Sequence, residues 1–177
     1  QAQLPSCPAA GRPAISTWPK ERSKWEQFKD ITIASAMGKP EERLAALRSK
    51  SDILVTHYDL LASRAAVKGM VEMILEEYKA TGVFPFDVLI LDESTKIKHA
   101  DTARYKALKQ ITRLFERRIL LTGTPAPNGL HDLFGQITTA DGGARLGATL
   151  SKFRREFFVP EFIPGVPVPM WKPQRDA

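Results

Sequence analysis

The sequence predicts an α/β domain, a mostly parallel β-sheet with helices on its faces. Three observations lead there. Short apolar runs within 52–58, 86–92 and 118–122 each stop abruptly at polar residues, as strands buried on both faces do. Segments with apolar residues at steps of three and four lie between them. Runs and segments alternate along the chain, which is the pattern of right-handed βαβ units.

Each element has its own signal. Residues 1–15 carry prolines and a glycine without hydrophobic period, so a poorly ordered lead-in is expected. Thr17 reads as an N-cap, with Pro19 in the first turn and Glu21 near the positive helix end. Trp18, Trp25 and Phe28 then give a short amphipathic helix over 18–28, with Trp25 expected in the core. Ile31 to Ala36 is a β-rich run closed by Gly38, and Pro40 opens a helix whose Leu44 and Leu47 share one face. After the strand Asp52 to Tyr58, Asp59 is expected to cap a long helix. Its face gathers Val67, Met70, Val71, Ile74, Leu75 and Tyr78 until Gly82 stops it.

Beyond the strand ending at Asp92, Asp101 is the expected cap of a helix with Tyr105, Leu108, Ile111 and Phe115 inward. The strand 118–122 follows. Asn128 is the expected cap of the next helix, which carries Leu130, Leu133, Phe134 and Ile137 and breaks at Gly142 and Gly143. Ser151 opens a last helix with Phe153 and Phe157 beside Lys152, Arg154 and Arg155. The proline-rich tail 159–177 is expected to run extended over a neighbour. One domain over 16–158 accounts for the rest, with no internal repeat.

Composition narrows the function. With 43% hydrophobic and 26% charged residues in 177, the chain is globular and long enough for a sizeable core. A net charge of +6 admits two readings, ordinary surface lysine and arginine or a nucleic-acid face. The single cysteine, Cys7, excludes an internal disulfide and a cysteine-based zinc site, and fits a reducing compartment. His57, His99 and His131 share no metal-ligand spacing. No apolar run approaches the roughly 18 residues that span a membrane, so no membrane partner is expected. A chain opening at Gln1 without a signal segment is expected to be a piece of something longer.

The chemistry concentrates at two strand ends. In parallel sheets ligands sit beyond the carboxyl ends of the strands. Asp92 and Glu93 close one strand there: the first carboxylate suits a hydrated Mg²⁺, and the second points where water would attack a γ-phosphate. Taken alone, an Asp-Glu pair at a strand end is more often only structural. Thr122, Gly123 and Thr124 close a second strand one crossover later, with Pro125 stopping it so that the hydroxyls sit at its lip. A phosphate sensor and a plain turn both use such residues.

Leu91-Asp92-Glu93-Ser94 followed by Leu121-Thr122-Gly123-Thr124-Pro125 resembles motifs II and III of superfamily-two helicases, closest to the Swi/Snf-like DNA translocases of phage and bacteria. Thr17 to Glu21 with Lys24 and Trp25, the strand 52–58, Lys98, Ala126 to Gly129, and 141–147 with Phe153 and Arg154 are similar as well. The resemblance implies a RecA-like P-loop NTPase lobe, incomplete at its N-terminus, in an ATP-dependent DNA translocase of a bacterial or phage-infected cytoplasm. It implies ATP and Mg²⁺ as cofactors, with Asp92 as the metal ligand and Glu93 orienting the hydrolytic water. Thr122, Gly123 and Thr124 would couple nucleotide state to DNA grip. Thr17, Trp18, Lys20 and Lys98 would contact DNA, double-stranded and without base preference, and a second helicase lobe of the parent chain would be the protein partner.

In two places the sequence departs from the family. Nothing in it matches the phosphate-binding loop, since Gly11-Arg12-Pro13 offers one glycine and no lysine, and the apolar strand expected before Thr17 is not recognisable. The second lobe and its arginine fingers are also not among these residues. The expectation is a parent protein that hydrolyses ATP and a 177-residue piece that does not. The competing reading is a nucleic-acid-binding module without hydrolysis.

Overall fold

The computed structural model describes residues 6–10, 12–165 and 167–174. Its centre is a five-stranded sheet in the order β2-β3-β1-β4-β5, formed by β1 (Ser6–Ala10), β2 (Ile33–Ser35), β3 (Ile53–His57), β4 (Val88–Asp92) and β5 (Arg117–Leu121). Every pairing is parallel, as the apolar runs predict. The helices between them are α1 (Arg12–Lys24), α2 (Pro40–Arg48), α3 (Met70–Thr81) and α4 (Ala103–Lys109); α5 (Leu133–Asp141) and α6 (Leu150–Phe157) follow the sheet.

The lead-in expectation fails at β1. Ser6–Ala10 is the central strand, paired with β3 on one side and β4 on the other. Pro8 lacks an N–H and normally argues against a central strand, which is why the stretch reads as a loop. Ladders on both sides override that local preference. The helix that follows is also displaced: α1 starts at Arg12, so Thr17 and Pro19 lie inside it instead of at its start. Pro13, second in α1, brings a φ already suited to a helix start. Glu26–Phe28 is a separate 3₁₀ turn.

The main core covers one face of the sheet. Leu54 of β3 and Leu89 and Leu91 of β4 meet Leu47 of α2, Met70, Val71, Met73 and Ile74 of α3, and Tyr105 and Leu108 of α4. Each such buried side chain contributes about 1.5–3 kcal/mol over its exposed state. Tyr105, Leu108, Ile111 and Phe115 all point inward as their spacing predicts, each at most 4% exposed. On the other face, among the described residues, Trp18 packs with Ile33 and Ile53 around Val55. Trp25 departs from its expected burial and is 52% exposed.

Several helix starts move. α3 begins after Gly69, not at Asp59; a 3₁₀ turn at Tyr58–Leu60 and a tight turn closed between Arg64 and Val67 come first. Gly69 sits so close to the backbone of Leu61–Ser63 that a Cβ would lie 2.4 Å from the Ala62 carbonyl carbon. Thr102, one residue after Asp101, caps α4 by accepting the Tyr105 N–H, and Thr149 instead of Ser151 caps α6. Gly82 and Gly142 close α3 and α5 in left-handed conformation, as expected.

Finally, the tail is not extended over a neighbour. Phe158–Glu161 (β6) and Met170–Pro173 (β7) pair as an antiparallel hairpin beside a small core of Phe134, Phe153 and Phe158. Arg154 stacks 5.7 Å over the Trp171 ring there.

Candidate active site

Register places the two chemical segments together. Asp92, the last residue of β4, is paired with Leu121, the last of β5, so Thr122 leaves its strand beside Glu93. The parallel ladder therefore sets the carboxylate pair and the Thr-Gly-Thr turn at one sheet edge.

The Asp92–Glu93 turn is held by its backbone and its neighbours, leaving the carboxylates unengaged. Tyr58 Oη donates to the Asp92 carbonyl at 3.0 Å. Burial foremost, then the negative charges of Asp92 and Glu93, push the Tyr58 phenol well above its ordinary pKa against the opposing Arg104, so it remains a donor. Glu93 adopts a left-handed backbone (φ 55, ψ 54), rare for a side-chain-bearing residue outside functional sites. Its carbonyl accepts the Lys96 N–H at 3.0 Å. Ser94 and Ile97, both 0% exposed, anchor the 3₁₀ turn that follows. Among the described residues no side chain hydrogen-bonds or ion-pairs with the Asp92 or Glu93 carboxylate.

On the β5 side, Thr122 Oγ1 accepts the Thr124 N–H at 3.3 Å, so its hydroxyl supports the local turn and does not pair with Asp92. Gly123 and Thr124 are exposed, and a Cβ added to Gly123 would meet nothing within 4 Å. Described residues leave the space beside Gly123 open.

Sequence reading did not single out α5 as part of this site. Ser94 Oγ donates to Gln136 Oε1 at 2.7 Å, and Gln136 Nε2 donates to the carbonyls of Pro125 at 2.6 Å and Asp132 at 2.8 Å. Lys98 Nζ pairs with Asp132 Oδ2 at 2.9 Å, and the same oxygen accepts the Asn128 N–H at 3.0 Å. Asn128 therefore does not cap a helix. For Asp132, burial would raise the carboxyl pKa, but the Lys98 ammonium and the Asn128 amide outweigh it and hold the value below the ordinary range. A Gln among the apolar residues Leu133, Phe134 and Ile137 was the available signal.

Of the expected DNA-contacting residues, Thr17, Trp18 and Lys20 lie on α1, and Lys98 ends the turn after Glu93. Thr17 and Lys20 are exposed on α1, and Trp18 is half-buried against Val55. Because α1 starts at Arg12, Thr17 does not offer a free N-terminal amide. Lys98 is engaged by Asp132 with 15% of its side chain exposed.

The donor set at the strand ends is all oxygen, and among the described residues no three His, Cys, Asp or Glu side chains gather as a metal cluster. That fits Mg²⁺, which keeps several waters and takes one or two protein carboxylates along with substrate phosphates. No helix among the described residues is long and apolar enough to cross a membrane.

Comparison with known proteins places this geometry in context. The model of the SNF2-related domain matches residues 7–160, a span that includes most of β1. Putative protein p41 of Acyrthosiphon pisum secondary endosymbiont phage 1 is 34% identical over 160 residues, 87% of this chain and 32% of that protein. The DNA excision repair protein ERCC-6-like of Mus musculus is 30% identical over 149 residues, 81% of this chain and 11% of that one. Among solved structures, the Sulfolobus solfataricus SWI2/SNF2 ATPase core in complex with dsDNA superposes with a TM-score of 0.62 at 25% identity, covering 88% of this chain and 28% of that one. The chain thus spans no more than about a third of any of these relatives.

Proposed function

Because the chain belongs to the SNF2-related domain family, we propose that it supplies the metal- and water-handling side of the nucleotide site in an ATP-driven DNA translocase. The observation that carries this reading is the register of β4 and β5, which sets Asp92, Glu93 and Thr122 at one sheet edge with both carboxylates unengaged by described residues. Asp92 is the residue that would hold Mg²⁺. When bound, the ion neutralises charge on the β- and γ-phosphates. Glu93 orients the attacking water and accepts its proton. Thr122, Gly123 and Thr124 line the adjoining wall. Thr17, Trp18 and Lys20 belong to the DNA-facing side, with DNA as a sequence-independent partner through its phosphates. Lys98 contributes there by bracing the turn after Glu93. The remaining phosphate contacts and the second lobe come from other parts of the full protein, so the 177 residues alone do not hydrolyse ATP.

The test is ATP hydrolysis by the full protein, with and without double-stranded DNA. Glu93→Gln lowers DNA-stimulated turnover on the order of 10²–10⁴-fold while DNA binding persists. A Glu93→Gln protein with wild-type turnover would sink the assignment.

A further inference from the structure

We propose that Gln136 is a positioning residue that fixes the Asp92–Glu93 turn relative to the Thr122–Pro125 turn. The two segments leave separate strands, and beyond the strand ends this α5 side chain bonds to both, beside the Asp132 carboxylate that links Lys98 to Asn128. Gln136 is 3% exposed and Ser94 is 0% exposed. Every capacity of the carboxamide that faces protein is used: Oε1 accepts from Ser94, and both Nε2 hydrogens go to carbonyls, of Pro125 and Asp132. The two facing carbonyls also fix which end of the amide is nitrogen. A side chain held at three points has one arrangement available, so displacement of either turn breaks a hydrogen bond of a carboxamide that is itself buried.

The surroundings favour this role over simple space filling. Apolar packing alone would be met by Leu or Met at this position, without placing a carboxamide in the interior. The Asp132 carbonyl bond keeps the Gln136 side chain against the first turn of α5, and the Lys98–Asp132 pair bridges to the same 3₁₀ turn that contains Ser94. α5 itself cannot shift toward that turn: a Cβ on Gly135 would lie 2.2 Å from the Ile97 carbonyl oxygen. The helix is thus a fixed base from which Gln136 reaches both turns.

The inference deepens the reading above, on which only its kinetic arm rests. In the full protein, Gln136→Met keeps the volume and removes all three hydrogen bonds, while Ser94→Ala removes one. Both are expected to lower kcat for ATP hydrolysis, Gln136→Met on the order of tenfold, with KM for ATP within about twofold. The double variant is expected to be no slower than Gln136→Met, because both changes break one link. Independently of activity, hydrogen exchange of the amides in 93–98 and in 122–126 should quicken together, on the order of tenfold in Gln136→Met. Acceleration confined to one turn, additive kinetic losses, or unchanged exchange in a folded Gln136→Met protein would overturn the proposal. A wild-type protein without hydrolysis refutes the functional reading instead, and the exchange measurement still decides Gln136. Should Gln136→Met not fold, Ser94→Ala carries the same two measurements with a smaller effect in both turns.

Discussion

Lys98 Nζ lies 2.9 Å from Asp132 Oδ2, joining the turn after β4 to the residue that precedes α5. Asp132 is 2% exposed, so its carboxylate has no access to water as a substitute partner. Lys98→Met is expected to cost about 3–5 kcal/mol, because breaking a buried pair leaves an uncompensated charge. Urea unfolding monitored by circular dichroism measures this, and a loss under about 1 kcal/mol would show the pair to be a surface contact in effect.

The same carboxylate sets an acid sensitivity. Its folded pKa is depressed by Lys98 and Asn128 in spite of burial. A depressed group contributes stability that is fully present above the unfolded value of about 3.9 and is lost as pH falls through the lower folded value. As pH falls below about 4, the wild-type stability should therefore fall more steeply than that of Asp132→Asn. Parallel pH profiles for the two proteins would contradict it.

Gly135 carries no side chain where α5 meets the carbonyls of Ile97 and Lys98, at 2.2 and 2.6 Å from a Cβ position. Backbone cannot yield as a flexible side chain does. Gly135→Ala should cost about 1–3 kcal/mol, whereas Gly123→Ala, with open space around it, should leave stability unchanged within about 0.5 kcal/mol. Equal thermal midpoints for Gly135→Ala and wild type would refute the close approach.

β5 is an edge strand, and Ile119 and Leu121 are each 43% exposed. Exposed apolar edges template association. The 177-residue chain should self-associate with rising concentration, and Ile119→Lys should suppress it at little cost in stability. Light scattering that reports a monomer for the unmodified chain at every concentration would dispose of this.

Lys20 is exposed on α1 with no described ion pair. If it contacts a phosphate, Lys20→Ala weakens binding to all DNA sequences alike and reduces the slope of log affinity against log salt by about one. An unchanged slope would remove it from the interface.

The sheet was legible because parallel strands declare themselves as apolar runs, as β3, β4 and β5 do, although β5, at the edge, is exposed at Ile119 and Leu121 instead of buried on both faces. β1 does not: its partners, not its residues, make it a strand, and Pro8 argued locally against it. Helix interiors such as that of α4 followed from periodicity, but starts moved where a tertiary contact outweighed capping, as at Gly69. Asp92, Glu93 and Thr122 were visible as polar stops after apolar runs. Gln136 and Asp132 were not, because their role depends on segments far off in sequence meeting at one helix end.

The position of β1 has a consequence for how the chain reaches its native state. β1 lies between β3 and β4, whose residues come some 40 to 80 positions later in the chain, with Ser6 opposite both Ile53 and Val88. Neither half of the sheet can close on the other until β1 enters between them. Such long-range closure is slow compared with local helix formation, and it makes the assembly of the sheet depend on a segment with little local preference for the strand it must become. Until that step, β3 and β4 each expose an unpaired edge, and the Asp92 carbonyl lacks the Tyr58 hydroxyl that will hold it.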